Sequence, residues 1–138
     1  MRTFERAVRF EEVDAAGIVF FARYLAYCHD AMEAFFDPLP GGYVGLVAGA
    51  GLGFPAVRVE CDYKAPLRWG DVAVIETEVE AIGTTSCTFV YTLRRKSDGV
   101  TAARARHVTV FTEMATMTKR ALSPEVRALL EGHRAAAR

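Results

Sequence analysis

The spacing of apolar residues predicts a strand, a helix and then a run of further strands. Apolar and polar positions alternate over residues 3–10, which predicts a first strand. Apolar residues then recur at helical spacing over residues 20–36, and the prolines and glycines of residues 37–42 end this helix. Residues 11–17, between the strand and the helix, are predicted to form a turn.

After the helix, the apolar period switches from helical spacing to two. Residues 43–54 are rich in glycine and small apolar residues, and either a short helix or a mobile loop over a pocket fits them. Ser123-Pro124 then has the cap and first-position proline of a terminal helix. Four strands are predicted between these segments: Ala56–Lys64, Asp71–Ile82, Thr85–Arg95 and Val100–Thr112.

This order of elements indicates an α+β fold in which an antiparallel sheet buries one face on the long helix. No internal repeat, low-complexity tract or linker divides the chain, so we expect residues 1–138 to form a single domain. The edges of such a sheet need cover, and dimerisation through an edge strand is one solution.

Composition narrows the classes of function. Lys plus Arg equals Asp plus Glu at 17 each, so no basic field points to nucleic acid or to an anionic membrane surface. The chain lacks an apolar signal segment or a long apolar span, and Cys28, Cys61 and Cys87 form no disulfide framework. We therefore expect a cytoplasmic protein with buried thiols, and no histidine–cysteine spacing predicts a metal site.

The predicted turn ahead of the helix carries the most informative residues. Asp14 lies there, Gly17 permits close backbone approach, and the free N–H groups of a helix start follow at Phe20 and Phe21. A carboxylate facing free amides suits acyl-transfer chemistry. Acids in turns also commonly cap helices or close Asx turns, and spacing alone favours that structural role for Asp14.

The run Asp14-Ala15-Ala16-Gly17-Ile18-Val19-Phe20 resembles the D-x-x-G-[IV]-[VI]-[FWY] motif of the 4-hydroxybenzoyl-CoA thioesterase family. The resemblance extends along most of the chain, including residues 62–71. It implies a hotdog fold, in which a five-stranded antiparallel sheet wraps a long central helix. It also implies active sites at a homodimer interface and, in many members, a tetramer built from two dimers.

By this resemblance the protein hydrolyses an acyl-CoA to the free acid and CoA, without a metal or other cofactor. Asp14 is then the nucleophile or the general base, and the backbone N–H of Phe21 polarises the thioester oxygen. Gly17 shapes the turn, while Phe20, Phe21 and Tyr24 suggest an apolar acyl pocket, and an aromatic acyl group is one candidate. Aliphatic acyl groups and acyl carrier protein are rival substrates.

Two departures from the family pattern leave alternatives open. Phe21 stands where the aromatic-specific bacterial enzyme has a tyrosine, and residues 83–85 lack that enzyme's basic cluster. A non-catalytic protein that binds acyl-CoA or acyl carrier protein is the main alternative, and Asp14 and Gly17 argue against it because a binding module has no need of an acid facing the thioester. A hotdog dehydratase ranks lower, because the motif lacks the histidine that those enzymes pair with an acid.

Overall fold

The computed structural model describes residues 1–136 and confirms the predicted α+β layout. The elements are β1 Arg2–Ala7, α1 Arg23–Phe35, α2 Gly42–Val44, β2 Leu52–Gly53, β3 Ala56–Tyr63, β4 Val72–Ile82, β5 Ser86–Arg95, β6 Thr101–Val110, β7 Thr112–Glu113, β8 Thr118–Lys119 and α3 Pro124–Gly132. The five longer strands form one antiparallel sheet in the order β1-β4-β5-β6-β3, so β1 and β3 are its edges. A small second sheet has the order β2-β7-β8.

The two faces of the sheet follow from the alternation of residues along its strands. On β4, Ile75 and Val79 are fully buried, whereas Glu76 projects to the other face, as its spacing predicts. That outer face carries charged pairs. Arg94 contacts Glu76 at 2.6 Å, and such long side chains can cover apolar surface between them. The inner face therefore forms the core.

Helix α1 packs against the inner face and places its aromatic side chains in this core. The Phe35 ring lies 5.5 Å from that of Phe89 on β5, and both side chains are fully buried. Near the other end of the helix, the Tyr24 ring lies 5.1 Å from that of Tyr63 on the edge strand β3. Burial of each large apolar side chain contributes about 1.5–3 kcal/mol, so these contacts fix the helix across the sheet.

The predicted first strand is too long at its C-terminal end. Strand β1 ends at Ala7, and residues 10–12 form one turn of 3-10 helix instead. The reason is Glu12, whose Oε1 accepts a hydrogen bond from the Arg9 N–H at 2.9 Å and closes this turn. Phe10 consequently leaves the core face and is 70% exposed, packed against Trp69.

The helix predicted from Phe20 begins only at Arg23. The residues before it are held in extended pairings, because the Val19 N–H donates to the Leu67 carbonyl at 2.8 Å and the Phe20 N–H donates to the Glu12 carbonyl at 2.9 Å. Helical spacing of apolar residues does not distinguish such a tethered segment from the first turn of a helix.

The remaining predictions shift by one or two residues. The glycine-rich segment is helical over residues 42–49, as one of its two alternatives proposed. Ser123 precedes α3, but its side chain makes no capping hydrogen bond. Cys28 and Cys87 are buried as expected, whereas Cys61 is partly exposed. Within residues 1–136, no helix is both long enough and apolar enough to cross a membrane.

Candidate active site

Asp14 lies in a tight turn between the 3-10 turn and α1. Its N–H donates to the Ile18 carbonyl, its carbonyl accepts from the Gly17 N–H, and its Oδ1 accepts from the Ala16 N–H, each at 2.9 Å. Asp14 therefore closes an Asx turn, the structural role that spacing favoured. Its side chain is exposed, and within residues 1–136 no donor contacts the second oxygen, Oδ2.

Gly17 gives this turn its shape. Its φ of +78° lies in the left-handed region, which residues with a Cβ adopt at a cost. A Cβ built at this position would meet no atom within 4 Å, so the requirement for glycine is conformational. The turn thereby leaves the Oδ2 of Asp14 free at the surface.

The buried carboxylate of Glu12 holds the same segment in place. Glu12 is 2% exposed, and its oxygens accept hydrogen bonds from the Tyr27 hydroxyl at 2.9 Å and from the Arg6 guanidinium at 2.7 Å. Burial alone would raise the pKa of Glu12, but hydrogen bonds from Arg9, Tyr27 and Arg6 offset it and hold the pKa below its ordinary value. Glu12 is thus an ionised structural group.

Phe21 supplies a backbone donor where the chain enters α1. Within residues 1–136, no oxygen accepts a hydrogen bond from the Phe21 N–H, whereas its carbonyl accepts one from the Tyr63 hydroxyl at 2.8 Å. The rings of Phe20 and Phe21 lie 4.7 Å apart and are both exposed. A free N–H at a helix start is a natural donor to developing negative charge.

Tyr24 joins α1 to the loop after β3. Its side chain is buried, and its hydroxyl accepts a hydrogen bond from the Leu67 N–H at 3.1 Å. Burial raises the pKa of Tyr24, so it stays a neutral phenol at ordinary pH. Tyr24 also lines the cleft next to Asp14.

These side chains meet in a surface cleft of about 670 Å³. Asp14, Phe21 and Tyr24, three of the five site residues predicted from the sequence, lie along it, and Lys64 and Arg68 add two cations. The other two, Gly17 and Phe20, are not among the described residues that line the cleft. The cleft therefore combines a free carboxylate oxygen, a free backbone donor and positive charge.

Two contributors to the site were missed from the sequence. Tyr63 reaches the Phe21 carbonyl from the edge strand, and Glu12 holds the turn, but both belong to contacts that depend on tertiary structure. The alternating pattern of a strand does not predict that one of its tyrosines donates a hydrogen bond to a carbonyl distant in sequence. The pairing of Arg6 with Glu12 across a turn likewise matches no local spacing rule. Over residues 1–136, no cluster of three metal-ligating side chains occurs.

The sheet packed on α1, with the Asp14 turn at its start, defines a protein of the hotdog class. A family model described as the Thioesterase-like superfamily matches residues 8–130, and the chain belongs to this superfamily. The match identifies the superfamily, and membership of the narrower 4-hydroxybenzoyl-CoA thioesterase family stays a prediction.

Individual relatives agree with the family match. The chain is 30% identical over 132 residues to a 1,4-dihydroxy-2-naphthoyl-CoA hydrolase of Nostoc punctiforme, covering 96% of this chain and 88% of that one. A thioesterase-superfamily structure from Jannaschia sp. CCS1 superposes with a TM-score of 0.90 at 27% identity, covering 98% and 94% of the two chains. A gentisyl-coenzyme A thioesterase superposes with a TM-score of 0.82 at 25% identity, covering 94% and 99%.

Proposed function

We propose that this protein hydrolyses acyl-CoA thioesters to the free acid and CoA, with Asp14 as its catalytic carboxylate. The observation that carries the proposal is the free Oδ2 of Asp14 in one cleft with the free N–H of Phe21. The relatives support the activity, since the Nostoc protein is named a hydrolase of an acyl-CoA and the gentisyl-CoA protein a thioesterase.

The chemistry requires one group to attack the thioester carbonyl and one to stabilise the resulting oxyanion. As a general base, Asp14 takes a proton from water while the water oxygen bonds to the carbonyl carbon. As a nucleophile, its Oδ2 attacks directly and forms a mixed anhydride, which water then cleaves. Both routes remain open. In both, the Phe21 N–H donates to the oxyanion, and the C–S bond breaks to release a thiolate.

The leaving group needs little help in this reaction. A thiol has a pKa near 8.5, so the CoA sulfur departs readily as the thiolate without a strong general acid. This suits a cleft whose remaining charged side chains are cations. We propose that Lys64 and Arg68, which lie along the cleft, attract the phosphates of CoA.

For the acyl group we propose an aromatic ring system. The names of both relatives refer to aryl-CoA substrates, a naphthoyl and a gentisyl group. The cleft itself is bordered by the rings of Phe21, Tyr24 and Tyr63, which suit a flat apolar ligand. A 4-hydroxybenzoyl-like group, as the sequence resemblance implied, falls within this class.

We also propose that the protein is a homodimer joined through the open edge of β3. Strand β3 pairs only with β6 within the five-stranded sheet, and its residues Val57, Val59 and Tyr63 are exposed at 63%, 44% and 46%. An apolar, unpaired strand of this kind is suited to pairing with a second copy. The tetramer implied by the family resemblance would add a second contact between such dimers.

A panel assay tests the activity directly. Purified protein is incubated with aromatic and aliphatic acyl-CoAs while release of free thiol is followed, and binding of each acyl-CoA is measured by calorimetry in parallel. We expect catalytic thiol release, fastest with aryl-CoAs. Acyl-CoA binding without any thiol release would instead support the non-catalytic alternative. Faster turnover of aliphatic acyl-CoAs would contradict the aromatic assignment alone.

A further inference from the structure

A second cavity, of about 150 Å³, lies between α1, the edge strand β3 and the inner face of the sheet. Its walls include Leu25, Cys28 and His29 from the helix and Val59 from β3, and its floor is formed by Tyr91 and His107. Burial raises the pKa of the Cys28 thiol, so this residue acts as an apolar wall. A cavity of this volume in another protein accommodates a benzene-sized ring.

The Asp14 cleft and this cavity both border α1 and β3. Tyr24 borders the cleft and Cys28 the cavity, and their spacing of four residues places them on one face of α1. On β3, Tyr63 borders the cleft and Val59 the cavity, four residues apart on the same face of the strand. The rise along the helix from Tyr24 to Cys28 is roughly 6 Å at 1.5 Å per residue. The cleft and the cavity together are named the α1–β3 groove.

The far end of this groove is polar. The Tyr91 hydroxyl and the Nδ1 of His107 lie 2.9 Å apart. Burial lowers the pKa of His107 and raises that of Tyr91 well above its ordinary range, so both side chains are neutral at pH 7.

A neutral tyrosine and a neutral histidine that share one hydrogen bond keep one polar hydrogen to spare. If Tyr91 donates, the spare donor is the Nε2–H of His107; if His107 donates, it is the Tyr91 O–H. No oxygen within residues 1–136 accepts a hydrogen bond from this spare donor. The pair can therefore donate to a ligand that enters the groove.

We propose that this α1–β3 groove holds the acyl group and that Tyr91 and His107 determine specificity by binding an oxygen at its far end. The substrate class is then a flat, ring-bearing acyl group that carries a hydroxyl or carbonyl oxygen remote from the thioester. This inference rests on the proposed thioesterase function for the identity of the ligand, and on the groove itself for the position of the ring.

Binding of free acids tests the groove without requiring turnover. Calorimetry compares 6-hydroxy-2-naphthoic acid, with a remote hydroxyl, against 2-naphthoic acid. We expect the wild type to bind the hydroxylated acid about three- to tenfold more tightly, the range that one added hydrogen bond gives. The double variant Tyr91→Phe/His107→Leu, which removes both possible donors, should reduce this preference to less than about twofold, whereas His107→Gln alone, which keeps an N–H donor, should retain part of it. A purely structural role for Tyr91 and His107 would weaken both acids equally.

A matched pair of valine variants tests where the ring lies. Val59→Phe fills the groove and should weaken binding of both acids about tenfold or more. Val100→Phe makes the same change at an exposed valine outside both the walls of the groove and the β3 edge, and should leave binding within about twofold. Circular dichroism and light scattering check that each variant keeps the fold and the solution mass of the wild type.

The outcomes separate this inference from the proposed function. No preference for the hydroxylated acid in the wild type, a preference that survives in Tyr91→Phe/His107→Leu, or unchanged binding by Val59→Phe would each overturn the groove assignment. If the acyl-CoA panel shows thiol release while these binding results fail, the enzyme assignment stands and only the groove is wrong. If the acids bind as expected but no thioester is cleaved, the groove stands and the hydrolase assignment fails.

Discussion

Two carboxylates only two residues apart occupy opposite environments at the start of the site. Glu12 is buried and accepts hydrogen bonds from a backbone N–H, a phenol and a guanidinium, whereas Asp14 is exposed and leaves one oxygen free. The first arrangement stabilises a turn, and the second leaves a carboxylate able to react. The sequence shows three acids in one turn, Glu11, Glu12 and Asp14, and does not distinguish their roles, which depend on Tyr27 and Arg6 from other elements.

Glu12→Gln should lower the free energy of unfolding by about 2–3 kcal/mol at pH 7, because the charge that pairs with the buried part of Arg6 is lost. The folded pKa of Glu12 lies below its ordinary value of 4.5, so its contribution is present above that pH and is lost as the pH falls through the folded pKa. The difference between variant and wild type should therefore shrink in acid.

Denaturant unfolding at a series of pH values measures this difference. Glu11→Gln, at the exposed neighbouring residue, is the control and should change stability by less than about 0.5 kcal/mol. A difference between Glu12→Gln and wild type that stays constant down to pH 3 would show that the carboxylate is not the ionised, hydrogen-bonded group described above.

Gly17 permits a second test at the residue scale. Gly17→Ala should destabilise the protein by roughly 1–2 kcal/mol, because alanine would have to adopt a left-handed φ. The added Cβ would meet no neighbouring atom, so no steric clash adds to this cost. Gly17→Asn should cost less, because asparagine tolerates this conformation better. Thermal unfolding of both variants measures the order, and equal losses would indicate a steric or ligand-contact role instead.

At the scale of elements, the interiors of strands and helices were more predictable than their ends. The alternation of residue types along β4 and β6 matches their burial, because a period of two is imposed by the pleat itself. The end of β1 and the start of α1 were predicted wrongly. Glu12 stops the strand, and pairings of residues 18–20 with residues 12–13 and 67–68 delay the helix.

Those tethered residues explain how the cleft acquires its backbone donor. If the helix began at Phe20 as predicted, the segment would not pair with the loop after β3. Instead Tyr63 of β3 reaches the Phe21 carbonyl and fixes that residue at the edge of the cleft. The site thus depends on contact between the helix start and an edge strand far away in sequence, which the sequence pattern does not encode locally.

Tyr63→Phe should lower kcat about three- to tenfold with little change in KM, because it releases Phe21 but keeps both aromatic contacts. Steady-state kinetics on a preferred acyl-CoA separates the two constants. Tyr43→Phe, which removes a hydroxyl bonded to the Phe54 N–H, is the matched control and should retain wild-type kinetics. An increase in KM with unchanged kcat would show that Tyr63 binds substrate and does not position Phe21.

For the molecule as a whole, the sequence pattern was enough to predict the α+β class, and the motif resemblance was enough to predict the activity. The prediction of an acyl-CoA thioester hydrolase is confirmed by the family and its relatives. The roles of Asp14, Gly17, Phe20, Phe21 and Tyr24, the absence of a cofactor and the cytoplasmic location stay predictions. The α1–β3 groove could not be foreseen, since its walls come from four separate elements.

The exposed apolar edge of the sheet leads to a prediction for the assembly. We expect a solution mass at least twice the 15.2 kDa of one chain, because burial of Val57 and Val59 at a β3–β3 contact removes apolar surface from water. Light scattering after gel filtration measures this mass. A mass of one chain at the protein concentration that gives full activity would contradict the dimer.

If the Asp14 carboxylate performs the reaction, its replacement by an amide should lower kcat, which is measured for Asp14→Asn on a preferred acyl-CoA. We expect a loss of about 10²–10⁴-fold with nearly unchanged acyl-CoA binding, because the amide cannot act as a base or nucleophile. Asp62→Asn, at an exposed aspartate of β3 outside the cleft walls, should keep wild-type kcat. A folded Asp14→Asn protein with wild-type kcat would show that Asp14 is not the catalytic carboxylate.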